Sequence, residues 1–174
     1  MRRLSLNARL AAEAMSPSEI HVLLLEIRHR ALPSPIRLST DNTERLTSEP
    51  LLYGTRSTWR GANPGSEPFL WVVASALVPS DLEDAPAAAT IVLENLDSEM
   101  ASLLRSFGDA AVLSMAVVLA SSPDVVEAEW TGLQLLTSEI TASEITLQFS
   151  REEIELEPFP VGRMTRQRFP GLHP

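Results

Sequence analysis

Turn-forming residues break this 174-residue chain at roughly 8–12-residue intervals, a spacing typical of short strands packed into a sandwich or barrel. Pro33 and Pro35, Asp41-Asn42, Ser48-Glu49-Pro50, Gly61 to Gly65, Pro79 to Pro86, Ser121 to Asp124 and Ser138 to Ser143 all carry turn chemistry. Few apolar runs between these breaks are long enough for a helix. The expected fold class is therefore mainly β (α+β): about seven or eight strands, one central helix and one terminal helix.

The runs themselves have strand periodicity. Within 19–29, Ile20, Val22 and Leu24 share one face and Leu23, Leu25 and Ile27 the other, so both faces are expected to be covered. The short connection at Pro33 and Pro35 predicts a hairpin with Ile36–Ser39. Further strands are expected over 69–78, 88–96, 111–120, 125–136, 133–137 and 144–150. In the last of these Ile145, Leu147 and Phe149 alternate with Thr146, Gln148 and Ser150, as in a strand with one wet face. Helical spacing appears twice. Leu4, Ala8, Ala11 and Met15 line one side of residues 4–15, which Ser16-Pro17 ends. Met100, Leu103, Leu104 and Phe107 form a stripe between an N-capping Asp97 and Gly108. Residues 40–68 are rich in turns and read as a long exposed excursion, with a short strand possible at 51–57. The organisation expected is an N-terminal helical arm (1–16), a β domain (17–157) and an extended C-terminal arm (158–174).

Composition narrows the chemistry. There is no cysteine, which removes disulfides, thiolate metal sites and a cysteine nucleophile. His21 and His29, eight residues apart along one strand, are too distant to share a metal. Glu152, Glu153, Glu155 and Glu157 suggest paired carboxylates, but such a run more simply makes a solvated edge. Asp81, Glu83 and Asp84 lack the ligand spacing of a calcium loop. No nucleophile elbow, phosphate-binding glycine loop or zinc-protease motif occurs. The reading is a non-enzyme without cofactor or metal. All 14 basic residues are arginine, yet the net charge is −9, which disfavours tight duplex-DNA binding. The longest apolar run, Ala110 to Ala120, is too short to span a bilayer. Met1-Arg2-Arg3 is basic, but Asn7, Arg9 and Glu13 interrupt the apolar stretch that a secretory signal needs, so none is expected.

The candidate functional residues are subunit-interface residues. Arg163, Arg166, Arg168 and Phe169 lie in the proline-rich tail, an arm for a neighbouring subunit's carboxylates or else a free terminus. Tyr53 and Trp59 lie in the 40–68 excursion. With Trp71 they could also form aromatic platforms for a glycan, although core packing accounts for Trp71 more simply.

Several segments, in order, resemble a family of short tail proteins of long-tailed bacteriophages. They are Leu25-Glu-Ile-Arg-His29, Leu32-Pro-Ser-Pro-Ile-Arg37, Asp97 to Phe107, Ser122-Pro-Asp-Val-Val-Glu127, Glu157-Pro-Phe-Pro-Val-Gly-Arg163 and Phe169-Pro-Gly-Leu172. The layout is also similar to the N-terminal part of the minor tail protein L of lambda-like phages. The iron–sulfur portion of that protein needs cysteines and is not carried over. The resemblance implies a tail-tube-like β-sandwich or barrel with a flanking helix, placed in the virion tail tip after synthesis in the host cytoplasm. It implies a homo-oligomeric ring, a hexamer ahead of a trimer, meeting tail tube protein, baseplate hub and tape-measure protein. DNA would pass through its pore without specific binding, and no membrane is involved. The other readings are a trimeric hub component, an accessory receptor- or glycan-binding module, and a cell-wall hydrolase using Glu153 or Glu155.

Overall fold

A computed structural model describes residues 4–15, 18–77, 88–94, 111–141, 144–150 and 168. The expected helix over 97–107, the acidic loop 81–84 and the glutamates at 152–157 lie outside the described residues. What is described is mainly β: one helix, one 3-10 turn and ten strands, against the seven or eight expected.

Helix α1 spans Leu6–Glu13 and starts where the Ser5 hydroxyl accepts the Ala8 N–H at 3.2 Å. Only Ala8 and Ala11 of the expected stripe are buried; Leu4, Leu6, Leu10 and Met15 face solvent. The helix is tied down polarly instead, by the Ser5 N–H donating to the buried Glu127 carboxylate at 2.6 Å.

The strands are β1 (His21–Arg28), β2 (Ile36–Ser39), β3 (Glu44–Ser48), β4 (Leu51–Thr55), β5 (Phe69–Trp71), β6 (Val73–Leu77), β7 (Ala88–Glu94), β8 (Val112–Leu119), β9 (Ser122–Ile140) and β10 (Glu144–Ser150). They form one sheet in the order β3-β4-β5-β2-β1-β8-β9-β10-β7-β6. The hairpin expected across Pro33 and Pro35 forms, with Glu26 opposite Arg37 and Ile27 opposite Ile36. The two segments expected over 125–136 and 133–137 are one 19-residue strand, β9. It bends at Gly132 (φ 73°), where the register against β8 slips between Leu113 and Met115. The segment expected over 69–78 is two strands parted by Val72.

That parting shapes the whole sheet. β5 lies third in the order and β6 tenth, yet a single residue separates them. Successive Cα atoms are about 3.8 Å apart, so the far end of the sheet must return to its beginning. The Val72 N–H fixes the crossing by donating to the Ser39 carbonyl at 2.9 Å. The sheet therefore coils around one apolar interior. Leu25, Ile27, Ile91, Leu93, Leu113, Met115, Leu133, Leu147 and Phe149 belong to that interior. Each such fully buried side chain contributes about 1.5–3 kcal/mol.

The opposite face of β1 and β8 carries a second cluster: Val22, Leu24, Ala116 and Val118 under Trp59, Ala62 and Phe69. Here the expectation for 40–68 holds in part: the short strand expected at 51–57 forms as β4 and many residues of the segment are exposed, but the segment is more than an excursion. It supplies β3, β4 and the 3-10 turn Trp59–Gly61, and it covers the outer face that the apolar run of β1 requires. Its first half is secured by a buried Ser39–Thr55 hydroxyl pair at 2.7 Å and a Glu44–Arg56 ion pair.

Candidate functional site

Glu26 interrupts the apolar sequence Leu23-Leu24-Leu25-Glu26-Ile27 on the covered face of β1. Its side chain has 0% exposure. A carboxylate withdrawn from water so completely requires charge and hydrogen-bond compensation. Three arginines supply it. Cross-strand pairing puts Arg37 of β2 directly opposite, with Nη2 3.2 Å from Oε2. Arg28, two residues along β1, brings Nε to 2.8 Å from Oε1. Arg60, from the cover, brings Nε to 3.2 Å from the same Oε1. Arg37 is itself 8% exposed, and its Nη1 meets Glu67 Oε2 at 3.0 Å.

Arg60 reaches this position at a conformational cost. Its φ of 58° and ψ of 25° are left-handed, and Gly61 follows at φ 74°. For a residue with a Cβ the left-handed region costs about 1–2 kcal/mol, a strain that persists only where the surroundings fix it. Here the surroundings are Trp59 and the segment just before it. The Trp59 ring sits 5.8 Å from that of Phe69, and its Nε1 donates to Glu129 Oε1 at 3.0 Å. Ser57 donates from Oγ to the Pro123 carbonyl at 2.8 Å. The Thr58 N–H and hydroxyl reach one Asp124 oxygen at 2.7 and 2.9 Å.

The Thr58 N–H, then its hydroxyl, hold the Asp124 carboxyl below the ordinary aspartate value of 3.8; slight burial opposes them and the Ser57 hydroxyl assists. A depressed folded-state value means that this contribution is complete above the unfolded value and is lost as pH falls through the folded one. The Thr58 amide resonance should therefore shift in a single step centred below pH 3.8, a step missing from Asp124→Asn. A midpoint at or above 3.8 in the parent chain would contradict this account.

Between the β1–β2 connection, Arg28, Arg60 and Glu67 lies an open pocket of about 440 Å³, with Arg37 in its wall. Leu32 to Pro35 form the opposite side. Among the described residues three guanidiniums face two carboxylates here, a local surplus of positive charge on a chain whose net charge is −9. Sequence reasoning missed this cluster, although Glu26, Arg28 and Arg37 all fall in segments quoted for the family resemblance. The available signal was one carboxylate inside an apolar strand with arginines at 28, 30 and 37.

Of the expected interface residues, Tyr53, Trp59 and Arg168 are among the described residues. Trp59 is 7% exposed and packs the second cluster, so its ring is committed within its own chain. Tyr53 is half-buried on β4, opposite Arg45. Arg168 is an exposed turn residue, and Arg163, Arg166 and Phe169 lie outside the described residues. The reading of Trp71 as core is reversed: it is 41% exposed at the end of β5, because Val72 beside it takes the inward position. Among the described residues, no group of three or more histidine or carboxylate side chains is placed to hold a metal. No described helix is long and apolar enough to cross a membrane. In comparisons with known proteins, no family model matches the chain and no curated protein matches it.

Proposed function

We propose that the chain is a structural subunit of the tail tip of a long-tailed bacteriophage or phage-like particle, its coiled sheet forming a tail-tube-like barrel that assembles into a ring. The observation that carries this reading is the pair of open sheet edges. β3 and β6 end the strand order, each five residues long, and neither has a second neighbour among the described residues. Unpaired edges template pairing with another chain. A head-to-tail joint of one subunit's β6 to the next subunit's β3 would remove both edges and close a ring when the rotation permits. β6 suits such a joint, since Val73 and Leu77 are exposed on it and Trp71 is exposed just before it. The exposed leucines of α1 give a further apolar surface for a neighbour. A tail tube has six-fold symmetry, which one tube-like unit per subunit matches as a hexamer, with a trimeric hub as the second arrangement. Its neighbours would be tail tube, hub and tape-measure proteins, and its net negative charge would keep DNA from adhering to the pore.

Native mass spectrometry tests this. The parent chain should form a closed hexamer, and Leu77→Lys, at a position 72% exposed on the edge, should leave monomers with an unchanged fold. A parent chain that stays monomeric at every concentration, and does not join particles when added to tails lacking it, would refute the ring.

A further inference from the structure

Three arginines surround one buried carboxylate, more than its charge requires. Arg28 and Arg60 both engage Glu26 through Nε alone and at a single oxygen. Among the described residues their Nη groups have no protein partner, although each guanidinium carries five N–H donors. The two side chains are about half and one-third exposed respectively, so those donors face the pocket rather than the core. The wall behind them is rigid, because Arg37 is buried and fixed between Glu26 and Glu67. Arg60 is held there in a left-handed conformation that glycine would adopt without strain, and the inference from such an outlier runs toward function.

We propose that this pocket is a carboxylate-binding site, in which the uncommitted guanidinium edges of Arg28 and Arg60 take an external carboxylate. A planar two-oxygen anion matches the fork of a guanidinium. Glu67 shows that a carboxylate can reach a guanidinium at the pocket rim, one of its oxygens meeting Arg37 Nη1 at 3.0 Å. A singly charged group is favoured over a phosphate backbone, because the pocket's excess charge is small and the whole chain is acidic. The carboxylate has two possible sources: a small free acid, or an Asp or Glu side chain of a second copy. The site stands whether or not the ring does.

The test uses the full chain and follows the arginine Nε–H resonances by NMR. Assignments come from Arg28→Gln and Arg60→Gln, which leave the buried Arg37–Glu26 pair in place. In one arm acetate or succinate is added; the expected result is a saturable shift of the Arg28 and Arg60 signals with a dissociation constant on the order of 1 mM, weakened about tenfold by either substitution. In the other arm protein concentration alone is raised; a shift of the same two signals, in step with self-association, assigns the carboxylate to a second copy. Silence of both signals in both arms would overturn the proposal. So would an acetate-dependent shift of the Gly61 amide resonance, at the pocket wall, that survives undiminished in the double variant Arg28→Gln/Arg60→Gln, or inorganic phosphate binding more tightly than acetate.

Discussion

Glu26→Ala is expected to destabilise the chain by about 3–5 kcal/mol, because it leaves the buried Arg37 without its buried counter-charge, with only the exposed Glu67 still beside it. Domains of this size are stable by about 5–15 kcal/mol in total, so one side chain removes a large part of the margin. The cost comes from the arginine left behind more than from the attraction lost. Among the described residues the buried Arg37 Nε finds no hydrogen-bond partner, so this guanidinium already depends on its two carboxylate partners. Arg28 and Arg60 are different: each can turn toward water when Glu26 is gone. Glu26→Leu/Arg37→Leu should therefore recover most of the stability lost in Glu26→Leu alone, since removing both members of a buried pair is often nearly neutral. Urea unfolding of the four chains gives the comparison. A cost below about 1 kcal/mol for Glu26→Ala would mean that Arg37 is compensated elsewhere and that the cluster is not a unit.

The cluster also separates what the sequence displays from what it withholds. The β1 apolar run shows that both faces of the strand are covered, and they are, by the interior on one side and the 56–69 segment on the other. The alternation of Ile145, Leu147 and Phe149 likewise appears as buried positions on β10. Strands that bury one or two faces carry their pattern with them. β3 and β4 do not, because only Gly54 and Thr55 among their residues are buried and nothing enforces alternation. The same segment hides Trp59 among polar residues. Its burial depends on meeting Glu129 and Phe69, and only the folded sheet brings Glu129, 70 residues away, to it. Arg60 reaches Glu26 across 34 residues by a left-handed turn, which no periodicity announces. Val72 is the extreme case: an ordinary apolar residue in an apolar run marks where one strand leaves one end of the sheet for the other.

Gly54→Ala is expected to cost about 2–4 kcal/mol, a large effect for a single added methyl group. Gly54 lies on β4 opposite Leu70 of β5, and a Cβ built there would stand 1.9 Å from the Phe69 carbonyl oxygen and 3.0 Å from the Leu46 side chain. Leu46 can turn aside, but the carbonyl belongs to a backbone that cannot move freely. Phe69 is fully buried against Trp59, Thr55 pairs with Phe69, and the Thr55 hydroxyl is bonded to Ser39. Relief must come from lifting β4 off β5, which loosens the base of the cover and with it the position of Arg60. Gly132→Ala is the control. Gly132 is left-handed, at φ 73°, but a Cβ there meets nothing within 4 Å, so only the conformational cost of about 1 kcal/mol applies. Thermal unfolding should rank Gly54→Ala well below Gly132→Ala. The Trp59 indole N–H resonance should report loss of its Glu129 hydrogen bond in Gly54→Ala alone, because the sheet joint that fails is the one from which the Trp59 segment is hung. Equal losses in the two variants would show that β4 is free to yield, and that the cover is not built on the β4–β5 joint.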